Sequence, residues 1–295
     1  MPVIELKDVS KLYGFGDATT LALDEVSLSI DEGEFVAIMG PSGCGKSTLM
    51  NIIGLLDRPT HGEFSLNGRK VARMKPNRAA KIRRDTIGFI FQSFNLLPRL
   101  TALENVALPL TYHTNMSHTK RMKMGSSILE RVGMQEREYF LPSQLSGGQV
   151  QSVAIARALV NNPKLIIADE PTGNLDSNGS RLVMELLSEI HNMGNTILFV
   201  THNPELTRYA TRVIYMHDGQ IIQDEATAIG QVAATARRGM YKIAQKTEED
   251  DLAGVSALMK AKPTKDTKPA RSHKATTSKK RTTTRRKATR KGGQK

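Results

Sequence analysis

Three short apolar runs constrain the fold of this 295-residue chain more than any other feature. They are FVAIM at Phe35–Met39, LIIA at Leu165–Ala168 and ILFV at Ile197–Val200. Each has the length of a strand but lacks the polar alternation of a strand with one face in water, so both faces are expected to be covered. Helical patterns separate the runs, as in βαβ units. The sequence therefore predicts an α/β fold with a mainly parallel core sheet packed between helices.

Antiparallel segments are predicted beside this core. The stretch HGEFSLNGRKV contains Asn67-Gly68 and the stretch VIYMHDGQIIQ contains Asp218-Gly219, and both dipeptides favour type I′ hairpin turns. The N-terminal MPVIELKDV alternates apolar and polar residues, which indicates a strand rather than a signal peptide. We therefore expect an antiparallel β subdomain in addition to the parallel sheet.

The domain boundaries follow from changes in these patterns. Between residues 98 and 157 the strand patterns give way to helical ones, which predicts a helical subdomain at about residues 93–160. This subdomain is inserted into an α/β domain of residues 1–224. Residues 225–261 are interpreted as a linker with room for one or two short helices, and residues 262–295 as a disordered Lys/Arg/Thr-rich tail.

The net charge of +13 is concentrated in that tail. Residues 260–295 contain fifteen Lys and Arg and a single acid, Asp266, so the rest of the chain is close to neutral. From residue 262 onward there is no aromatic or large aliphatic residue, and too little apolar surface can be buried to offset the entropy of ordering. Such a tail is attracted to anionic lipid or to nucleic acid, although the lack of aromatics argues against base stacking. A solvated tail without a partner is the third interpretation.

Cysteine content and hydropathy bear on the compartment. Cys44 is the only cysteine, so no intramolecular disulfide can form, and a reducing cytosol is the expected compartment. No run approaches the roughly 18 apolar residues that a membrane-spanning helix needs. If this chain serves a membrane, we expect a second chain to cross it.

One glycine-rich segment lies where such a sheet binds anions. GPSGCGKS, Gly40–Ser47, follows the strand FVAIM and precedes an amphipathic helix, which is the context that a G-x-x-x-x-G-K-[ST] phosphate loop requires. Its backbone N–H groups would surround a triphosphate, Lys46 would reach the β- and γ-phosphates, and the Ser47 hydroxyl would bind Mg²⁺. The apolar face of the helix is predicted to consist of Leu49, Ile52, Ile53 and Leu56. A chance glycine turn is the alternative, and Cys44 is interpreted as a small residue that fits the loop rather than a redox switch.

Two acids at the end of a predicted strand form a second chemical element. LIIADE ends in Asp169 and Glu170. Asp169 is placed to hold Mg²⁺ through its water shell, and Glu170 to orient and polarise the attacking water. The alternative is a solvated turn, which is less consistent with a phosphate loop in the same chain.

With these residues, the chain resembles the ATP-binding subunit of ABC transporters over about residues 1–224. Seven elements occur in the order of that family: KLYGFGD, GPSGCGKST, FIFQSFNLLP, LSGGQ, ADE, GNLD and FVTHNPE. The resemblance implies that Tyr13 stacks on adenine and that Gln92 touches Mg²⁺ and the attacking water. It also implies that His202 contacts the γ-phosphate and that the loop ending in Asp176 crosses to a partner subunit. Each of these residues has an ordinary structural interpretation when it is taken alone.

The resemblance thus assigns a complete set of site residues. The expected catalytic residues are Glu170, His202 and Gln92. The expected Mg²⁺ ligands are Ser47, Gln92 and Asp169. The residues expected to contact the nucleotide are Tyr13, Gly40, Pro41, Ser42, Gly43, Cys44, Gly45, Lys46, Ser47, Thr48, Ser146, Gly147, Gly148, Gln149 and Asp176.

A second anion-ready segment, the family signature LSGGQ at Leu145–Gln149, implies a dimer. Ser146 and two glycines precede a helix and can offer a hydroxyl and N–H groups to a γ-phosphate. In the family this loop covers the nucleotide held by the other subunit, so two copies would form two composite sites by two-fold symmetry. ATP binding would then close the dimer, and hydrolysis would let it open.

Within the family, the chain is most similar to the lipoprotein-releasing, macrolide-export and cell-division group. That similarity implies a dimer on the cytoplasmic face of the membrane that drives a separately encoded permease. For a subunit expected under a membrane, the charge of the tail favours anionic lipid over nucleic acid. The alternative is a soluble ABC ATPase that acts on nucleic acid or ribosomes. Such proteins usually carry two cassettes or a long coiled coil, and this chain has one cassette and no coiled coil.

One position departs from the family pattern. After LSGGQ the family usually continues with two glutamines and an arginine, whereas this chain has Val150, Gln151 and Ser152. The missing cation removes an ion pair or a bidentate contact from the first turns of the helix. Lower ATPase activity or an altered contact with the helical subdomain is the expected consequence.

Overall fold

The computed structural model describes residues 2–14, 19–113 and 116–231. The strands in these ranges are β1 Pro2–Tyr13, β2 Thr20–Asp31, β3 Phe35–Met39, β4 His61–Leu66, β5 Arg69–Lys70, β6 Ile87–Ile90, β7 Leu165–Asp169, β8 Thr196–Val200, β9 Arg212–His217 and β10 Gln220–Ala226. The α-helices are α1 Lys46–Ile53, α2 Pro76–Thr86, α3 Ala102–Ala107, α4 His118–Arg131, α5 Gly147–Leu159 and α6 Ser177–Asn192. Short 3₁₀ helices span Leu108–Tyr112, Gln135–Arg137, Pro142–Gln144 and Pro204–Tyr209. The strand β10 enters the predicted linker, most of which lies outside the described residues together with the predicted tail.

The strands form two sheets. One has the order β2-β1-β4-β5 and is antiparallel, as the sequence predicted for the N-terminal segment. The other has the order β10-β9-β3-β8-β7-β6, in which β9, β3, β8, β7 and β6 are parallel and β10 is an antiparallel edge strand. The central strands β3 and β8 are buried along their whole length. The predicted parallel sheet with both faces covered is confirmed.

Both predicted hairpin turns are present. Asn67 and Gly68 join β4 to β5 with φ values of 51° and 72°, and Asp218 and Gly219 join β9 to β10 with φ values of 45° and 81°. Two successive residues with positive φ are the requirement of a type I′ turn, which matches the twist of the flanking strands. Local turn chemistry therefore determines these two connections.

Alternate residues of β3 face two different cores. Val36 and Ile38 pack with α1 and with the antiparallel sheet, whereas Phe35 and Ala37 pack on the opposite face, where α5 and α6 lie. Successive side chains of a strand point to opposite faces, so a fully apolar strand requires partners on both. A third apolar cluster holds α3, α4 and α5 together, and no strand interrupts the described residues between 98 and 157.

The apolar face predicted for the first helix is partly wrong. Leu49, Ile52 and Ile53 are fully buried, but Leu56 is 49% exposed and lies beyond the helix, which ends at Ile53. Gly54 is the C-cap, and the next residue, Leu55, has a φ of 55°. The chain therefore leaves the helix one turn earlier than the apolar spacing suggests, and Leu56 points away from the core.

The register of the parallel strands brings three strand ends together. Ile38 of β3 and Asp169 of β7 both pair with Val200 of β8. The loops that follow β3, β7 and β8 therefore begin at the same edge of the sheet, where ligands bind in open α/β folds. Among the described helices, none is long and apolar enough to cross a membrane.

Candidate active site

The loop between β3 and α1 requires glycine for steric reasons. Gly40 has a φ of 150°, and a Cβ there would lie 2.2 Å from the Met216 carbonyl oxygen. Gly45 has a φ of 101°, and its Cβ would lie 2.5 Å from the Ala22 carbonyl oxygen. Both contacts are with backbone atoms that cannot move aside, so only glycine lets the loop lie this close to β2 and β9.

Lys46 is held inside this loop. The residue is 9% exposed, and its Nζ donates hydrogen bonds to the carbonyl oxygens of Gly40 at 2.9 Å and Pro41 at 2.7 Å. The helix α1 starts with Gly45 as N-cap, has no side-chain cap, and has no acid in its first turn. The positive end of the helix and the ammonium group therefore face the same loop, which is suited to a polyphosphate.

The acidic pair lies at the end of β7. Burial raises the pKa of the Asp169 carboxyl, the neighbouring Glu170 raises it further, and Lys46 lowers it. A carboxylate in that environment gains from a cation, and Mg²⁺ accepts one or two protein oxygens and fills its remaining positions with water. The donor set fits this ion, since the Ser47 hydroxyl lines the same cavity as Asp169.

Glu170 is strained and is paired with a histidine. Its φ is 43°, a left-handed conformation that non-glycine residues rarely adopt. Its Oε1 lies 3.0 Å from Nδ1 of His202, whose side chain is 70% exposed. Strained backbone of this kind clusters at functional sites, because surrounding contacts must hold it in place. The pair can bind a phosphate oxygen through the ring and a water molecule through the carboxylate.

One cavity of about 430 Å³ joins these groups. It is lined by Thr20, Leu21, Ala22, Gly40, Ser42, Gly43, Gly45, Lys46, Ser47, Thr48, Asp169, Glu170, Val200 and His202. The structure thus brings together most of the predicted phosphate loop, both acids and the histidine. The segment Thr20–Ala22 was not expected from the sequence, because the start of β2 carries no motif.

Several predicted residues do not line this cavity. Gln92 lies two residues after β6, and its carbonyl oxygen accepts a hydrogen bond from Nδ2 of Asn174 at 2.9 Å. Its side chain faces Gly173, where a Cβ would lie 2.6 Å from Nε2 of Gln92. Pro41 and Cys44 are also absent from the lining, and Cys44 is buried. Gln92 therefore contacts the turn that follows Glu170 rather than the cavity itself.

Two further predicted residues have partners within the chain. The Tyr13 hydroxyl donates to Oδ2 of Asp57 at 2.7 Å, and Nζ of Lys11 lies 4.7 Å from the centre of the Tyr13 ring. Asp176 is the N-cap of α6 and accepts a hydrogen bond from the backbone N–H of Gly179 at 2.7 Å. Tyr13 is 41% exposed, so much of its side chain remains accessible.

The signature loop lies outside the cavity. Ser146 is the N-cap of α5, its Oγ accepts from the backbone N–H of Gln149 at 3.4 Å, and its own N–H donates to Oε1 of Gln149 at 2.9 Å. These reciprocal bonds form a capping box. Ser146 and Gly147 are exposed, and a Cβ on Gly147 would lie 3.2 Å from Leu175. The loop therefore sits beside the segment that precedes Asp176 and is open to a partner.

The helix α5 also contributes two contacts that the sequence did not predict. Gln151 is fully buried and its Nε2 donates to the Pro171 carbonyl oxygen at 2.6 Å. Arg157 donates to the carbonyl oxygens of Phe94, at 2.9 Å, and Asn95, in the loop after Gln92. These partners are backbone carbonyl oxygens on segments distant in sequence, and no sequence pattern predicts them.

The hydroxyl of Ser152 bonds within its own helix, to the Gly148 carbonyl oxygen at 3.1 Å. The nearest cation on the helix is Arg157, and burial lowers the pKa of its guanidinium. Ser152 therefore supplies no contact to the helical subdomain of the kind that an arginine offers. The predicted consequence for activity stays a prediction.

A strand, a glycine-rich loop, a helix and an acidic strand end on one sheet edge define the P-loop nucleoside triphosphatases. A family model described as ABC transporter matches residues 23–173. The chain belongs to this family, and it is an ABC-type ATPase that binds and hydrolyses ATP.

Relatives with the same cassette occur alone and within longer proteins. The chain is 53% identical over 221 residues to an uncharacterised ABC transporter ATP-binding protein of Methanocaldococcus jannaschii, covering 75% of this chain and 98% of that protein. It is 48% identical over 259 residues to the macrolide export ATP-binding/permease protein MacB of Hyphomonas neptunium, covering 85% of this chain. The chain spans about 40% of the length of that MacB protein.

Solved structures show the same fold. The dimeric structure of a post-hydrolysis state of the ATP-binding cassette MJ0796, bound to ADP and Pi, is similar with a TM-score of 0.69 and 47% identity. The match covers 76% of this chain and 98% of that cassette. A second dimeric structure of the same cassette gives a TM-score of 0.69 at 48% identity.

Proposed function

We propose that two copies of this chain form a head-to-tail dimer that hydrolyses ATP at two composite sites and so drives a separate membrane protein. The observation that carries this proposal is the separation of two anion-binding loops. The phosphate loop shares one cavity with both acids, while Ser146 and Gly147 of the signature loop are exposed and outside it. A second copy can complete the site, and the similar cassette MJ0796 is a dimer in both solved structures.

The residues around the cavity have distinct proposed roles. Lys46 neutralises charge on the β- and γ-phosphates, and the N–H groups of the loop bind their oxygens. Ser47 and Asp169 hold Mg²⁺, which supplies charge neutralisation on the phosphate oxygens when it is bound. Glu170 orients and polarises the attacking water, and His202 binds the γ-phosphate. The 3.0 Å contact between Glu170 and His202 supports their acting on the same phosphoryl group.

The remaining predicted residues act at the edges of the site. Gln92 follows β6 and contacts the turn after Glu170. Binding of Mg²⁺ and water at the site can therefore shift Gln92 and the loop that continues to Phe94 and Asn95. Tyr13 offers an aromatic face for the adenine ring. Asp176 and the signature residues Ser146 to Gln149 face the partner subunit and its nucleotide.

The membrane partner is inferred from relatives. MacB of Hyphomonas neptunium combines an ATP-binding and a permease part in one protein, and this chain corresponds to about 40% of its length. We propose that a permease on a separate chain plays the corresponding part here, with the dimer on the inner face of the membrane. Contact between the basic tail and anionic lipid stays a prediction from the sequence.

The substitution Glu170→Gln tests the proposal. It keeps the shape and hydrogen-bonding size of the side chain but removes the carboxylate, so ATP should bind without being turned over. We expect an ATP-stabilised dimer on gel filtration and at least about a hundredfold loss of turnover. The matched control is Glu189→Gln on α6, which should hydrolyse ATP at the normal rate. A Glu170→Gln chain that stays monomeric with ATP and still hydrolyses it would overturn the assignment.

A further inference from the structure

Gln151 has a buried polar atom that destabilises the fold and that packing does not explain. Among the described residues, its Oε1 is the only buried side-chain oxygen or nitrogen without a hydrogen-bond partner. The whole residue is 0% exposed. An unpaired buried amide oxygen is unfavourable, and a methionine of similar length would fill the same space without it. Packing alone therefore does not account for an amide at this position, and the donor half of the group needs a role.

That donor bonds the turn beside the acid. Nε2 of Gln151 lies 2.6 Å from the carbonyl oxygen of Pro171, which directly follows Glu170. Glu170 has a φ of 43°, and such a conformation persists only where the surroundings determine it. Its backbone N–H donates to Val200 at 3.0 Å and its carbonyl oxygen accepts from Gly173 at 3.0 Å. Gln151 adds the side-chain contact from the helical part of the chain.

The same helix carries the signature loop. Ser146 caps α5, and Gln151 lies five residues further, which corresponds to about 7.5 Å along the helix axis. A short rigid helix transmits a displacement of its first turn to the side chains of its second. A γ-phosphate or a partner subunit that pulls on the signature loop therefore acts on the Glu170 turn through one hydrogen bond.

We propose that Gln151 is a positioning residue that fixes the Glu170 turn for hydrolysis and couples that turn to the signature loop. This inference rests on the proposed function, because it assumes that Glu170 acts on the water that attacks ATP. Gln151 itself does not line the cavity. Its effect is on the geometry of the acid and not on the affinity for ATP.

The first test is Gln151→Met in the full chain. Methionine keeps the length and the packing but leaves the Pro171 carbonyl without its donor. Because small displacements of a catalytic group strongly reduce the rate, we expect kcat to fall about tenfold and KM for ATP to stay within about twofold. A Gln151→Met chain with unchanged kcat would overturn the proposal.

The matched control is a second fully buried amide. Asn105 is 0% exposed, and its Nδ2 donates to the carbonyl oxygens of Leu97, Leu100 and Thr101 in the helical part, away from the cavity. Asn105→Leu should lower the midpoint of thermal unfolding yet leave kcat within about twofold when it is assayed well below that midpoint. An equal fall in kcat for both variants would reduce Gln151 to a stabilising residue.

A pH profile supplies the sharper test. In Gln151→Glu the carboxylate has no proton to donate to Pro171, whereas the carboxylic acid does, and burial favours the acid. The kcat of this variant relative to wild type should therefore rise as the pH falls from about 8.5 to about 6. A ratio that does not change with pH would contradict the proposal. Loss of ATP hydrolysis in the wild-type chain would instead defeat the proposed function, so the two failures are distinguishable.

Discussion

The phosphate loop and the signature loop are both glycine-rich and both begin a helix, but only the signature loop has side chains that cap its backbone N–H groups. At α1 the N-cap is Gly45 in the left-handed conformation, and no side chain caps the helix. At α5, Ser146 and Gln149 cap each other's N–H groups. The first loop has no side-chain cap and faces its own cavity, whereas in the second loop the N–H groups of Ser146 and Gln149 already have side-chain acceptors. A glycine-rich helix start is therefore a complete anion site only where a cavity faces it.

Charge separates the two loops further. The phosphate loop holds Lys46 and shares its cavity with Asp169 and Glu170. The signature stretch Leu145–Leu159 has one charged residue, Arg157, and its guanidinium is used on backbone carbonyls. The signature loop can therefore recognise a phosphate only through neutral dipoles. A site built from both loops is cationic on one side and neutral on the other.

The largest predicted effect is the recovery of ATP turnover when two inactive variants, each damaged in a different loop, are mixed. Lys46→Ala removes the ammonium from one loop and Ser146→Arg blocks the other, so each chain alone should retain less than about 1% of turnover. In a mixed head-to-tail dimer one site has both loops intact. An equal mixture should therefore recover about one quarter of wild-type turnover if the two sites act independently. Steady-state phosphate release measures it.

The control for this mixture uses two chains damaged in the same loop. Lys46→Ala mixed with Ser47→Ala leaves every composite site with a defective phosphate loop, so no recovery is expected. If Lys46→Ala and Ser146→Arg also fail to restore turnover, while each still folds by circular dichroism, the signature loop acts within its own chain. The head-to-tail dimer would then be wrong.

Matched glycine substitutions sharpen the comparison through stability. Gly45→Ala places a Cβ 2.5 Å from the Ala22 carbonyl oxygen in a left-handed conformation, so the free energy of unfolding should fall by about 1–3 kcal/mol. Gly148→Ala lies within α5, where a Cβ would be 3.8 Å from Gly179, so it should be neutral or gain up to about 1 kcal/mol. Urea unfolding of the nucleotide-free chains measures both. Equal destabilisation by the two substitutions would show that the two loops do not differ in their steric requirement for glycine.

The smallest predicted effect concerns the acid that faces the phosphate loop. The pKa of Asp169 is raised by burial and by Glu170, so the folded chain binds more protons than the unfolded chain and stability falls as the pH rises through this range. Asp169→Asn should raise the midpoint of thermal unfolding by about 1–3 °C at pH 7.5 while it impairs Mg²⁺-dependent turnover. The gain should vanish below about pH 4, where the unfolded carboxyl is also protonated. A lower midpoint at pH 7.5 would contradict this account.

Much of the fold could be predicted because its determinants are local. The three apolar runs became β3, β7 and β8, and both predicted hairpins formed, since strand burial and type I′ turns depend on neighbouring residues. The prediction failed at Leu56, where apolar spacing suggested one more helical turn. Gly54 ends the helix, and the chain turns away through a positive φ at Leu55. The spacing of apolar residues alone does not predict where a helix ends.

The sequence predicted several residues that share the cavity, but not the residues that hold the surrounding loops. Lys46 and His202 follow β3 and β8, Asp169 ends β7, and a parallel sheet must bring such strand ends to one edge. Gln151 and Arg157 hold the loops behind that edge through carbonyl oxygens on other segments. A carbonyl oxygen is present at every residue, so no sequence pattern identifies which one will be bound.

The sequence by itself determined the parallel core, the phosphate loop with its acids, and the presence of a second loop of the same glycine-rich kind. Only the tertiary structure decided that the second loop is exposed and excluded from the first loop's cavity, and that α5 ties it to the Glu170 turn. The physical reason is the range of the forces involved. Hydrophobic periodicity and backbone preference act between near neighbours, whereas the direction in which a helix presents its first turn depends on how distant elements pack.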